Sequence, residues 1–242
     1  MVSEYTETDR DGQRVGVGRY RLGMLDCKTS AGGVRLAGFL TGAPRSLRET
    51  AVQQIQQVGY KPEEVRHIVM THMHVDHGGG LADFPQAKIH IYKDEYEAIL
   101  HPQTLLEKQF YIPAHWVHGP DWAVHSLNGA QWFDHPCTDP LPIEGVDIRL
   151  IPFPGHSRGL CAVAIALPDE RWLLHCGGAY YQRKQVNLSI PFRPPPGLVL
   201  RILLIGDILH VSKLRALRER LGERLTIFCS HDPVELEEVA RV

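Results

Sequence analysis

The sequence predicts an α+β protein in which helices cover a β-sandwich. Three observations carry this expectation. Candidate strands outnumber candidate helices and alternate with them irregularly. The chain shows a half-and-half rhythm of such elements with no shorter repeat. Its 242 residues, 43% hydrophobic and 22% charged, suit one ordinary globular domain with ample length for a core.

Taken in order, residues 1–12 are polar and read as a disordered tail, leaving 13–242 as a single domain. Arg14 to Leu40 is glycine-rich with short apolar pieces, enough for a weak strand or hairpin. Ser46-Leu47-Arg48-Glu49 reads as a capping box. It opens a helix on which Leu47, Ala51, Ile55 and Val58 recur at helical spacing until Gly59 closes it. Ile68-Val69-Met70 is a short apolar run of the kind a buried strand shows. Lys88 to Tyr92 follows as a strand, then a helix from Asp94 to Leu100. The segment 101–135 is expected to be an irregular insertion. Its aromatic part, Phe110 to Phe133, is either a lid or pocket wall or a satellite cluster pinning a long loop. Asp147–Ile151, Cys161–Leu167 and Arg171–Cys176 are strands, the last two joined through Pro168-Asp169-Glu170. A helix from His210 to Leu221 precedes a final strand, Leu225 to Cys229.

The densest chemistry follows the first apolar run, in Thr71-His72-Met73-His74-Val75-Asp76-His77-Gly78-Gly79-Gly80. Three imidazoles and a carboxylate within six residues are a donor set for a transition metal. In extended backbone, residues two apart project to one side, so His72 and His74 can grip one ion. Asp76 and His77, beyond the turn, can face a second. A histidine-rich loop that binds nothing remains the plain alternative.

His72-x-His74-x-Asp76-His77 resembles the signature of the metallo-β-lactamase superfamily. Pro154-Gly155-His156-Ser157-Arg158-Gly159 resembles that family's second motif, and Ile227-Phe228-Cys229-Ser230-His231 its terminal strand and histidine. The resemblance covers about Glu49 to Val234 and implies a four-layer αβ/βα sandwich, here with a shortened N-terminal half-sheet. It also implies two metal sites, one of His72, His74 and His156, the other of Asp76, His77 and His231. One position departs from the family. In Trp172-Leu173-Leu174-His175-Cys176-Gly177-Gly178-Ala179-Tyr180, Gly178 stands where relatives carry an aspartate that bridges two metals. Two divalent cations about 3.5 Å apart repel by at most roughly 20 kcal/mol at an effective dielectric of 20. Loss of one bridge therefore implies either one tightly held ion or a second of low occupancy. Cys176 could stand in as a ligand, although a buried structural cysteine is the commoner fate.

The resemblance implies a metal-dependent hydrolase that turns a metal-bound hydroxide on a small carbonyl substrate, a lactone or a carboxylic ester. A β-lactamase, or a metal-binding pseudoenzyme with little turnover, are the alternatives. Zn2+ is the expected cofactor, one or two ions, with Mn2+ or Fe2+ also suited to imidazole and carboxylate. Asp76 is the expected proton acceptor. Tyr181 falls where lactone-hydrolysing relatives carry a tyrosine that hydrogen-bonds the substrate carbonyl, though a tyrosine at a strand end often only packs. His175 and the remaining histidines are expected to pack or bond locally.

A net charge of −2 gives no electrostatic case for nucleic acid or an anionic membrane as partner. The expected partners are a small-molecule substrate and a possible homodimer mate. Five scattered cysteines without a C-x-x-C pair suit a reducing compartment, and no apolar signal segment is visible at the N-terminus. The cytoplasm is the expected location.

Overall fold

The computed structural model of the chain describes residues 50–187 and 208–239, preceded by four two-residue strands. Those strands are β1 (Val2–Ser3), β2 (Glu7–Thr8), β3 (Arg14–Val15) and β4 (Tyr20–Arg21). β1 pairs with β4 and β2 with β3, both antiparallel. Val2–Ser3 and Glu7–Thr8, within the segment expected to be a loose tail, lie in these ladders. The sequence-predicted capping box at Ser46–Glu49 lies outside the described residues.

Helix α1 (Ala51–Gln57) opens at Thr50, whose Oγ1 accepts the Gln53 N–H at 3.4 Å. Gly59, at φ +87°, closes it as expected. Val58 is 49% exposed, so the apolar stripe ends at Ile55. The first main sheet follows. It joins β5 (His67–Val69) and β6 (Lys88–Tyr92), and α2 (Lys93–Leu100) leaves the end of β6. Next comes α3 (Leu105–Phe110), begun by a Thr104–Glu107 capping box, and then β7 (Asp121–His125), parallel to β6. The segment 101–135 is therefore not one irregular excursion. Trp122 sits in a sheet strand, and Tyr111, Trp116 and Trp122 pack into the helix-covered core of this sheet. Part of the aromatic density thus packs against this sheet.

A two-strand ladder, β8 (Gln131–Trp132) with β9 (His135–Pro136), leads to the second sheet. Its strands β10 (Ile148–Pro152), β11 (Cys161–Ala166) and β12 (Trp172–His175) are successively antiparallel. After α4 (Arg183–Val186) and α5 (Ile208–Leu221), β13 (Leu225–Phe228) adds parallel to β12, and α6 (Pro233–Val239) follows.

Alternation along the strands sorts the core into layers. Ile89 and Ile91 of β6 pack under α1 and α2 with Ala51, Ala98 and Ile99. Ala162, Ala164 and Leu174 face Leu214 and Leu217 of α5 on the far side. Between the sheets, Tyr92 and Val69 meet Leu150, Val163, Leu173 and Phe228. The result is helix, sheet, sheet, helix. Among the described residues no helix is long and apolar enough to cross a membrane.

Strand direction places the site. β10 and β12 both run opposite to β11, and β13 runs with β12, so the segments after β10, β12 and β13 leave one edge. The Cys161 N–H donates to the Thr71 carbonyl at 2.9 Å, bringing the end of β5 to the same edge. Gly159 completes the junction: a Cβ there would stand 1.9 Å from the Glu95 backbone nitrogen, which cannot yield as a side chain would.

His90 is wholly buried and bridges two other imidazoles across the first sheet. Its Nε2 lies 2.9 Å from His67 Nδ1 and its Nδ1 lies 2.9 Å from His125 Nε2. Burial, then His125, His67 and Lys88, push its pKa from 6.5 down to about 4, with Asp121 pulling the other way. As pH falls the unfolded chain therefore takes up this proton first. The corresponding share of stability is intact above 6.5 and is lost between 6.5 and about 4. A His90→Leu variant is expected to show a shallower fall of melting temperature than the parent from about pH 7 to pH 5; parallel curves would contradict the assignment. Gly159→Ala is expected to cost about 3 kcal/mol or more in denaturant unfolding, because backbone must part to admit the methyl.

Candidate metal centre

The loop after β5 turns back on itself through His77 and Gly78 N–H groups donated to the His74 carbonyl at 2.9 and 3.1 Å. Thr71 Oγ1 lies 3.0 Å from His72 Nδ1, which leaves Nε2 of that ring turned inward. His156, after β10, meets it there. Its Nε2 is 3.1 Å from His72 Nε2 and 3.1 Å from His74 Nδ1. His72, His74 and His156 each offer one ligand atom within 4.8 Å of the others, and all three rings are buried. Asp76 and His77, on the same loop, form a second such group with His231, which follows β13. The two groups adjoin: the rings of His72 and His77 are 4.0 Å apart at their centroids, and those of His77 and His231 are 5.6 Å apart.

The electrostatics keep the first group ready to ligate. Burial first, and then the neighbouring imidazoles, hold the His72 pKa well below 6.5. His156 is lowered likewise, by burial and then by His74 and His77. Burial brings His74 down to about 4 despite the Asp76 carboxylate. These rings are neutral at neutral pH and present lone pairs. For Asp76 the enclosed position acts to raise the pKa, but His77, His231 and His74 outweigh it and hold it at about 2. Its side chain is 48% exposed, and Oδ2 faces His77 Nε2 at 3.5 Å.

These residues fit a cation. His156 Nε2 carries one proton at most, so it can satisfy only one of the two nitrogens beside it. The two 3.1 Å spacings are short enough for one ion to be held by all three nitrogens. His77 Nε2 is buried and has no hydrogen-bond partner.

Gly178 lies beside this point. A Cβ there would be 2.4 Å from His156 Nε2, so the His156 ring occupies the space a side chain at 178 would enter. Cys176 does not reach either group. It is fully buried in the helix-covered core, and burial, then Cys229 and Glu235, push its thiol well up. His175 bonds locally, its Nε2 3.0 Å from Ser230 Oγ and its ring stacked on Phe228. His115, His118 and His125 belong to neither metal-ligating group. The Tyr181 hydroxyl lies 3.3 Å from His156 Nδ1, and its ring is 4.9 Å from that of His231. Phe110 stacks on His74 at 4.9 Å.

Sequence reasoning missed the groups that fasten the loops. Glu235, in the first turn of α6, accepts the Cys229 N–H and the Tyr180 hydroxyl, each at 2.9 Å. Asp232 accepts the Arg183 N–H at 2.8 Å and pairs with its guanidinium at 3.1 Å. Glu95, in the first turn of α2, is wholly buried. Its signal was visible: Glu95, Ala98 and Ile99 share one helical face, and a carboxylate on an otherwise apolar face asks for donors.

The comparisons with known proteins agree with this geometry. Residues 37–176 match the model of the metallo-β-lactamase superfamily. A probable metallo-hydrolase of Mycobacterium tuberculosis is 39% identical over 198 residues, 80% of this chain and 63% of that protein. The N-acyl homoserine lactonase AttM of Agrobacterium fabrum is 28% identical over 188 residues, 75% of this chain and 64% of its own length. The chain thus spans just under two thirds of these relatives. Among solved structures, a probable metal-dependent hydrolase from Staphylococcus aureus superposes with a TM-score of 0.59 at 16% identity, covering 86% of this chain and 69% of that one. A variant of the B. thuringiensis lactonase AiiA, with N-decanoyl-L-homoserine at its active site, gives 0.54 at 23% identity, over 80% and 66%. At those identities the structures establish a shared fold, and the family model establishes descent. The chain belongs to the metallo-β-lactamase superfamily.

Proposed function

We propose that this protein is a metal-dependent hydrolase of a small carbonyl substrate, a lactone or a carboxylic ester. The observation that carries the reading is the pair of adjoining candidate ligand groups at one sandwich edge, the second of which includes the half-exposed Asp76 carboxylate. His72, His74 and His156 would hold the tight ion, and Asp76, His77 and His231 a weaker second one. Zinc, manganese or iron bound there would supply an activated water at neutral pH and polarise the substrate carbonyl. Gly178 replaces the family's bridging aspartate, and its lack of a carboxylate leaves the second group without that shared ligand.

Asp76 is the proton acceptor, since its half-exposed carboxylate reaches solvent beside the other candidate ligands. Tyr181 stands between the two groups, where its hydroxyl can donate to a carbonyl oxygen as negative charge develops. Phe110, beside His74, forms an apolar wall suited to an acyl chain. Relatives named N-acyl homoserine lactonase support a lactone as the first substrate to try. The cytoplasm suits the four described cysteines, which are all free. Exposed Leu105 and Val117 leave surface for a homodimer contact.

A panel of N-acyl homoserine lactones, aryl esters and β-lactams, assayed with added zinc, manganese or iron, tests the reading. Lactone or ester turnover that chelator abolishes and metal restores is the expected result. Absence of turnover across the panel with metal bound would overturn it, and preference for β-lactams would redirect it. Tyr181→Phe is expected to lower kcat by about 10- to 100-fold with little change in KM. An unchanged kcat would reduce Tyr181 to packing.

A further inference from the structure

We propose that Glu95 is the positioning residue that sets the nitrogen spacing of the His72, His74 and His156 group. The inference rests on the metal reading above and concerns a residue outside both ligand groups. One buried carboxylate receives three donors from two separate ligand loops. Its Oε1 accepts the Met73 N–H at 2.7 Å, and Met73 lies between His72 and His74. Its Oε2 accepts the Ser157 hydroxyl at 2.7 Å and the Gly159 N–H at 3.1 Å, on the loop that carries His156. The ligands from β5 and from β10 are therefore referenced to the same two oxygens.

The anchor itself is rigid. Glu95 lies in the first turn of α2, where unpaired N–H groups favour a negative charge. Hydrogen bonds to a carboxylate are about twice as strong as neutral ones, and here none competes with solvent. The absent side chain at Gly159 lets its loop approach the helix backbone closely enough to make the bond. Burial pulls the Glu95 pKa upward, while the Ser157, Met73 and Gly159 donors oppose it. A glutamine of the same shape keeps the Met73 bond but turns an NH2 toward Ser157 and Gly159. The Gly159 N–H then meets a donor, and the His156 loop loses its fixed distance to the His72–His74 loop.

The test is Co2+ titration of the metal-free protein, followed by visible absorption, for the parent, Glu95→Gln and Ser157→Ala. Melting of each metal-free form is recorded alongside. Glu95→Gln is expected to weaken Co2+ binding by about 10- to 100-fold and to shift the d–d bands at saturation. Ser157→Ala, which removes one of the three donors, is expected to move both in the same direction by less. It also decides the matter if Glu95→Gln fails to fold. Variants that melt lower yet bind Co2+ with the parent's affinity and band positions would show Glu95 to be structural only, and the proposal would fall. A parent that takes up no Co2+ would overturn the metal reading itself, and this proposal with it.

Discussion

Three imidazole nitrogens that face one point in a dry setting cannot satisfy one another. His156 Nε2 stands 3.1 Å from both His72 Nε2 and His74 Nδ1, and a single proton can serve only one of those contacts. A cation would resolve the conflict, and much of the fold serves to create it. Strand polarity brings four segments to one edge. The Thr71 carbonyl bonds to Cys161 across the sheets. Burial keeps the rings neutral, which is the form that ligates.

The same edge is fastened twice in similar ways. Glu95 opens the helix after β6, and Glu235 the helix after β13. Each is buried, and each takes a backbone N–H from a ligand-bearing segment: Met73 in one half, Cys229 in the other. A carboxylate in a first helical turn is favoured by the local dipole, so it can be buried at lower cost than elsewhere. Gly178 sits where the halves meet. It gives the His156 ring room and contributes no ligand of its own, so the two groups differ in kind. The first consists of three buried neutral rings, the second of two rings and a half-exposed carboxylate.

Much of this was legible in the residues. H-x-H-x-D-H after an apolar run, with His156 and His231 after later strands, named the six side chains that assemble into two groups. Strand boundaries were readable to within a residue or two where alternation was strong, as at Lys88–Tyr92 and Cys161–Ala166. Two things were not. β7 was hidden among aromatics that read equally as a lid or as a satellite cluster, and its place in the sheet depends on pairing with a strand some thirty residues earlier in the chain. Glu95 gave only a faint signal, since its partners Met73, Ser157 and Gly159 are distant in sequence and two of its bonds come from backbone. Local pattern finds ligands more readily than it finds the groups that aim them.

The most direct test of the account is the number of metal ions per chain in protein purified without added metal, compared with Gly178→Asp. The account predicts about one tightly held ion in the parent and about two in the variant, in which the His156 ring shifts to admit the introduced carboxylate. Two in the parent would contradict the role given to Gly178. None in either would contradict the metal centre itself.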